Sequence, residues 1–127
     1  MLQDIAYLTL FVRDQDRALE FYTAVLGFEK RVDRAGVGGG RFLTVGLPGQ
    51  TLEVILWPGT PGQAANPEGY VPGVCVLLTR DCRKALAAIA SRAEPPIKVD
   101  LVEQPAALIG LLQDPDGNRI MLREPQG

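Results

Sequence analysis

Among the side chains that most often serve as nucleophiles or acid–base groups, this chain has two cysteines, a single serine, fifteen acidic residues and no histidine. Without histidine, neither a Ser–His nor a Cys–His nucleophile can be assembled. Ser91 falls at the end of a helical segment. Cys75 falls in an apolar strand. Cys82 opens the helix that follows, where a helix N-terminus can lower a thiol pKa, and both thiols are expected to be reduced. Asp114 and Asp116 look like paired carboxylates, but Asp114-Pro115-Asp116-Gly117-Asn118 is the composition of a tight turn. Glu53 is the acid that stands out. It sits in the alternating apolar stretch Thr51-Leu52-Glu53-Val54-Ile55-Leu56-Trp57, and a carboxylate on an apolar sheet face is costly unless it is paired or hydrogen-bonded. It can anchor a ligand donor or cation, or act as a general base with Tyr7 as acid. Otherwise it is neutralised by a hydrogen bond to Tyr7 or by an ion pair with Arg41 or Arg119.

The elements that must position these residues occur twice. Tyr7-Leu8-Thr9-Leu10-Phe11-Val12-Arg13-Asp14 is an alternating strand running into a helix cap, and Val74 to Asp81 repeats it at an offset of 67 (14 to 81). Pro48 to Leu56 is echoed by Asp116 to Glu124 at an offset of 68 (53 to 121). Asp14 caps a helix whose core face carries Ala18, Leu19, Tyr22, Val25 and Leu26 and which stops at Gly27. Strands are expected at 28–35, 41–46 and 51–57. The glycine run 36–40 is a turn into a strand, not a phosphate loop. Residues 58–73 are too rich in proline and glycine for helix or strand and read as a linker. The second half offers strand 74–78, a helix capped by Asp81 with Ala85, Leu86 and Ile89 inward, a break at Pro95-Pro96, and strands near 97–102, 108–112 and 119–123. The chain is therefore expected to be one α+β domain over 1–127. It comprises a βαβββ module at 1–57, the linker 58–73 and a second βαβββ module at 74–127, with curved mixed sheets enclosing a cavity.

Three stretches, Phe11-Val12-Arg13-Asp14, Ala18-Leu19-Glu20-Phe21-Tyr22 and Leu26-Gly27-Phe28, together with Asp114-Pro115-Asp116-Gly117-Asn118, give a chain that resembles the vicinal oxygen chelate superfamily. That superfamily contains glyoxalases, extradiol dioxygenases, fosfomycin-resistance enzymes and bleomycin-resistance proteins. The resemblance implies four inward ligand positions in metal-dependent members, here Tyr7, Glu53, Val74 and Met121. Only Glu53 carries a donor typical of the family. A neutral phenol, a valine and a thioether are poor company for a divalent ion, so no metal and no cofactor is expected. Strand parity adds Thr9, Phe11, Ile55, Trp57 and Val76 to those four as cavity lining, with Phe42 from the third strand. These side chains either bind a small molecule or fill the interior of a collapsed barrel.

The remaining features set bounds. A net charge of −2 without a basic run gives no footprint for nucleic acid. No apolar stretch approaches the roughly 20 residues of a membrane span, and residues 1–12 lack the pattern of a signal peptide, so the expected location is cytoplasmic. A chain of 127 residues is short for covering two apolar sheet faces, and a homodimer is expected. The leading functional expectation is a metal-free protein that binds a largely apolar or aromatic small molecule. The alternatives are an enzyme of lyase, isomerase or dioxygenase class using Glu53 or an atypical metal site, and a dimeric scaffold without ligand.

Overall fold

A computed structural model describes residues 1–61 and 73–126. The chain divides after Pro61 into two compact units.

In the first unit, β1 (Tyr7–Val12) leads into α1 (Gln15–Glu20), which continues as a π-helical segment over Phe21–Val25. β2 (Glu29–Ala35), β3 (Arg41–Gly46) and β4 (Glu53–Pro58) follow. The sheet order is β1-β4-β3-β2, with β1 parallel to β4 and the other pairs antiparallel. The Asp14 side chain accepts the Arg17 backbone N–H at 3.1 Å, the cap its position foretold. Ala18, Tyr22 and Val25 are buried as expected, while Leu19 and Leu26 are only half-buried. Phe21 is buried in their place, edge-on to Tyr22, because the wider π segment turns it inward. On the sheet, Leu10, Val12, Leu43, Val45 and Leu56 meet this helix and form the core. The Gln15 side chain donates to the backbone carbonyls of Arg41 and Leu56, tying helix to sheet at 3.0 and 2.9 Å.

The second unit repeats the plan. β5 (Cys75–Leu78) precedes α2 (Cys82–Arg92), and β6 (Val99–Gln104), β7 (Ala107–Gln113) and β8 (Arg119–Pro125) complete a sheet of order β5-β8-β7-β6. Asp81 caps α2 through the Lys84 N–H, and Leu86 and Ile89 are buried. The turn 114–118 is built as its composition requires. The Asp114 carboxylate accepts from the N–H groups of Asp116 and Asn118 and from the Asn118 amide, at 2.9, 2.9 and 3.0 Å. Gly117 takes the positive φ of 85°.

The architecture is thus α+β, two tandem βαβββ modules with mixed sheets. Boundaries shift by a residue or two. The strand expected at 97–102 is observed at 99–104, because the prolines 95 and 96 have no N–H to pair and the ladder starts at Val99↔Leu112. The last strand runs on to Pro125, opposite Ala107. Of the linker expected at 58–73, Pro58 ends β4, and 62–72 lies outside the described residues.

Candidate functional site

Each residue expected on the open face of the first sheet is placed there by strand alternation. The parallel register sets Tyr7 opposite Glu53, Thr9 opposite Ile55 and Phe11 opposite Trp57. In β3, Thr44 lies opposite Ile55, so Phe42, two residues away, shares that face. In β2, Arg34 is opposite Phe42 and Val32 opposite Thr44. The face therefore reads in rows across four strands. One row holds Arg34, Phe42, Trp57 and Phe11, and the next holds Val32, Thr44, Ile55 and Thr9.

Thr9, Phe11, Arg34, Gly36, Phe42, Ile55 and Trp57 line an open pocket of about 500 Å³, within the range of small-molecule sites. Tyr7 meets the edge of Phe42 at a centroid distance of 5.9 Å, which extends the aromatic surface toward Glu53. Seven of the ten sequence-predicted lining residues thus share one face of one sheet.

Glu53 is half-buried, and its partner is neither of the kinds expected. The Thr44 hydroxyl donates to the carboxylate Oε1 at 2.5 Å and accepts the Val32 N–H at 3.1 Å. A register shift between Lys30 and Val32 frees that N–H from the ladder. Arg41 has the opposite parity from Phe42 and Thr44. It points to the helix side, where it binds Asp33 at 2.8 Å and Asp16 at 2.6 Å. Its guanidinium holds the Asp33 carboxyl below the usual carboxylate range, and the two carboxylates push the Arg41 pKa up. The expected ion pair with Arg41 is therefore replaced by a threonine hydrogen bond, as is the expected bond to Tyr7.

Val74, Val76 and Met121 belong to the second unit. Val76, not Val74, lies opposite Met121, so this ladder is set two residues differently from Tyr7↔Glu53. Val74 and Val76 are exposed, whereas Met121 is buried in a cluster with Ala107, Ile109 and Leu111. The second unit has a pocket of about 410 Å³, lined by Ile97, Asp100, Leu111 and Arg119 among others, and Leu111 lies opposite Met121.

Two residues of this sheet face were missed from sequence. Thr44 and Arg34 follow once the Gly36–Gly40 turn fixes the β2–β3 register, since Arg34 then faces Phe42 and Thr44 shares Phe42's parity. The guanidinium of Arg34 stands 5.1 Å from the Phe42 ring centroid.

The nucleophile candidates recede. Burial pushes the Cys75 thiol up to about 11, aided by the Asp114 charge. Cys82 is raised as well, first by burial and then by the Glu124 and Asp81 charges, which overturns the lowered value its helix position suggested. Glu124 approaches because its carboxylate accepts the Cys82 N–H at 2.8 Å. Among the described residues, no three His, Cys, Asp or Glu side chains gather as a metal site would require, so the donor set does not fit the metal that the fold family often holds. Among the same residues, no helix is long and apolar enough to cross a membrane.

The sequence matches the glyoxalase/bleomycin resistance protein/dioxygenase superfamily over residues 4–122. Similar solved structures include TnmS3, an antibiotic-binding protein from Streptomyces sp. CB03234, at 26% identity and TM-score 0.79, covering 98% of each chain. UcmS2 is also 26% identical with TM-score 0.79, covering 98% of this chain and 99% of that one. A superfamily member from Sphaerobacter thermophilus DSM 20745 is 30% identical with TM-score 0.80, covering 97% of this chain and 98% of its own. No curated protein sequence matches. With the family spanning nearly the whole chain and both βαβββ units in place, this chain belongs to the glyoxalase/bleomycin resistance protein/dioxygenase superfamily.

Proposed function

We propose that this protein binds a small, largely apolar or aromatic molecule without a metal. The observation that carries the reading is the open pocket built from Phe11, Phe42, Ile55 and Trp57 beside Thr9. Side chains of this kind exclude water from one face of a ligand and stack on it. The antibiotic-binding relative TnmS3 points the same way. Tyr7 and Glu53 sit at the far end of the face as a polar anchor. The working form is a cytoplasmic homodimer. β1 and β5 are edge strands that expose Tyr7, Leu8, Phe11, Val76 and Leu78, and exposed apolar edges of this kind call for a partner.

The enzyme reading rests on one specific feature, the Glu53 carboxylate oriented by Thr44 on the pocket face. The two readings part in one experiment. A panel of aromatic compounds is titrated against the wild type, Thr9→Trp and Glu53→Gln, with binding and product formation measured together. A binder shows saturable binding that Thr9→Trp abolishes by filling the pocket, and no product. Turnover lost in Glu53→Gln with binding retained establishes the enzyme instead. Light scattering at a mass of 13.7 kDa would refute the dimer.

A further inference from the structure

The charge of the pocket narrows its ligand further. Of the residues lining it, Arg34 alone carries a formal charge. The cations around it are satisfied: Lys30 by Asp33, Arg31 by Glu29, and Arg41 by Asp33 and Asp16. Among the described residues, Arg34 has no carboxylate within ion-pair reach, and its guanidinium is held instead near the face of Phe42.

Glu53 does not neutralise this end of the face. It lies four residues along β4 from Trp57, about 13 Å at strand rise, beyond the Debye length of about 8 Å at physiological salt. Its charge is moreover engaged by Thr44. The row Arg34, Phe42, Trp57, Phe11 thus presents three aromatic rings ending in one uncompensated guanidinium. Arginine matches this task, since its planar fork stacks on rings and donates two parallel hydrogen bonds to a carboxylate or sulfonate.

We propose that the pocket selects an aromatic molecule bearing an anionic group, with the ring system on Phe42, Trp57 and Phe11 and the anion on Arg34. This rests on the small-molecule reading above and assigns its ligand class. The nearly neutral net charge of the chain does not oppose it, because steering at this range is local.

Trp57 is the only tryptophan, so its fluorescence reports occupancy of this pocket and no other. The probes are 2-naphthoate and its neutral counterpart 2-naphthalenemethanol, titrated at low and high salt into the full chain. The expected result is quenching by both, with naphthoate bound about tenfold more tightly, the discrimination of one charge-assisted hydrogen bond. That preference should shrink at high salt, vanish in Arg34→Gln and be partly restored in Arg34→Lys. Arg34 is exposed, so these variants are expected to fold, and circular dichroism checks that they do. Equal quenching by both probes, unchanged in Arg34→Gln, overturns the anion preference and leaves the pocket reading standing. If neither probe quenches Trp57 at millimolar concentration, both readings fall together.

Discussion

Replacing Thr44 by valine keeps the shape of a fully buried side chain and deletes only its hydroxyl. Two bonds go with it: the donation to Glu53 and the acceptance from the Val32 N–H. A hydrogen bond to a charged group is worth about 1.5–3 kcal/mol, and the half-exposed position of Glu53 brings that to roughly 1–2. Stranding the Val32 N–H costs about 1 more. The sum is about 2–3 kcal/mol, or a fall in Tm of roughly 8–12 °C at this chain length. Urea unfolding of the wild type, Thr44→Val, Glu53→Ala and the double variant closes a cycle. Its coupling should be about 1–2 kcal/mol, because once Glu53 is gone the hydroxyl has only the N–H to satisfy. A single-variant loss below about 0.5 kcal/mol, or no coupling, would refute the claim that Thr44 holds Glu53 in place.

Other consequences are open to direct measurement. With its pKa near 11, the Cys75 thiol at pH 8 is ionised to roughly one part in a thousand, so iodoacetamide should label the native protein far more slowly than the urea-unfolded chain. Because the folded state raises this pKa, the thiol's contribution to stability is intact below about pH 8.5 and declines as pH rises toward 11. A Cys75→Ala variant should show a flatter alkaline stability profile. A Cβ on Gly110 would sit 2.9 Å from the Cys82 Sγ and 3.0 Å from Leu86 Cδ1, so Gly110→Ala should lift α2 from β7 and cost about 1–3 kcal/mol in thermal or urea unfolding. Asp114→Ala removes the acceptor shared by the Asn118 amide and two backbone N–H groups in a buried turn and should lower stability by about 2–4 kcal/mol.

How much was legible follows from which signals the sequence repeats. Strand alternation placed Tyr7, Thr9, Phe11, Glu53, Ile55 and Trp57 on one face because a period of two leaves no freedom once one residue is fixed. The helix caps were legible at Asp14 and Asp81 for the same local reason. Phe21 was not, since a π segment changes the helical period without changing composition. Arg34 was hidden because β2 runs Glu-Lys-Arg-Val-Asp-Arg, where charges fall on both faces and mark neither. The partner of Glu53 was hidden because it depends on a register shift between Lys30 and Val32 that only pairing reveals.

The comparison of the two units carries the last step. Both have the same strand order, but the first pairs Tyr7 with Glu53 whereas the second pairs Val76 with Met121. A shift of two residues preserves which side chains share a face and changes which ones meet. On the first face, aromatic rings and an arginine gather around open space, with a hydroxyl-held carboxylate farther along β4. On the second, the corresponding face holds Ala107, Ile109 and Met121, buried and apolar, with Asp100, Arg119 and Arg123 sharing that face by register. A duplication needs only its helix-facing residues to keep the fold, so the opposite face of each copy is free to diverge. Here the aromatic rings gather on the first unit's face, and ligand selectivity should therefore respond to substitutions at Arg34, Phe42 and Trp57 far more than to substitutions at Ile109 or Met121, which should register mainly as losses of stability.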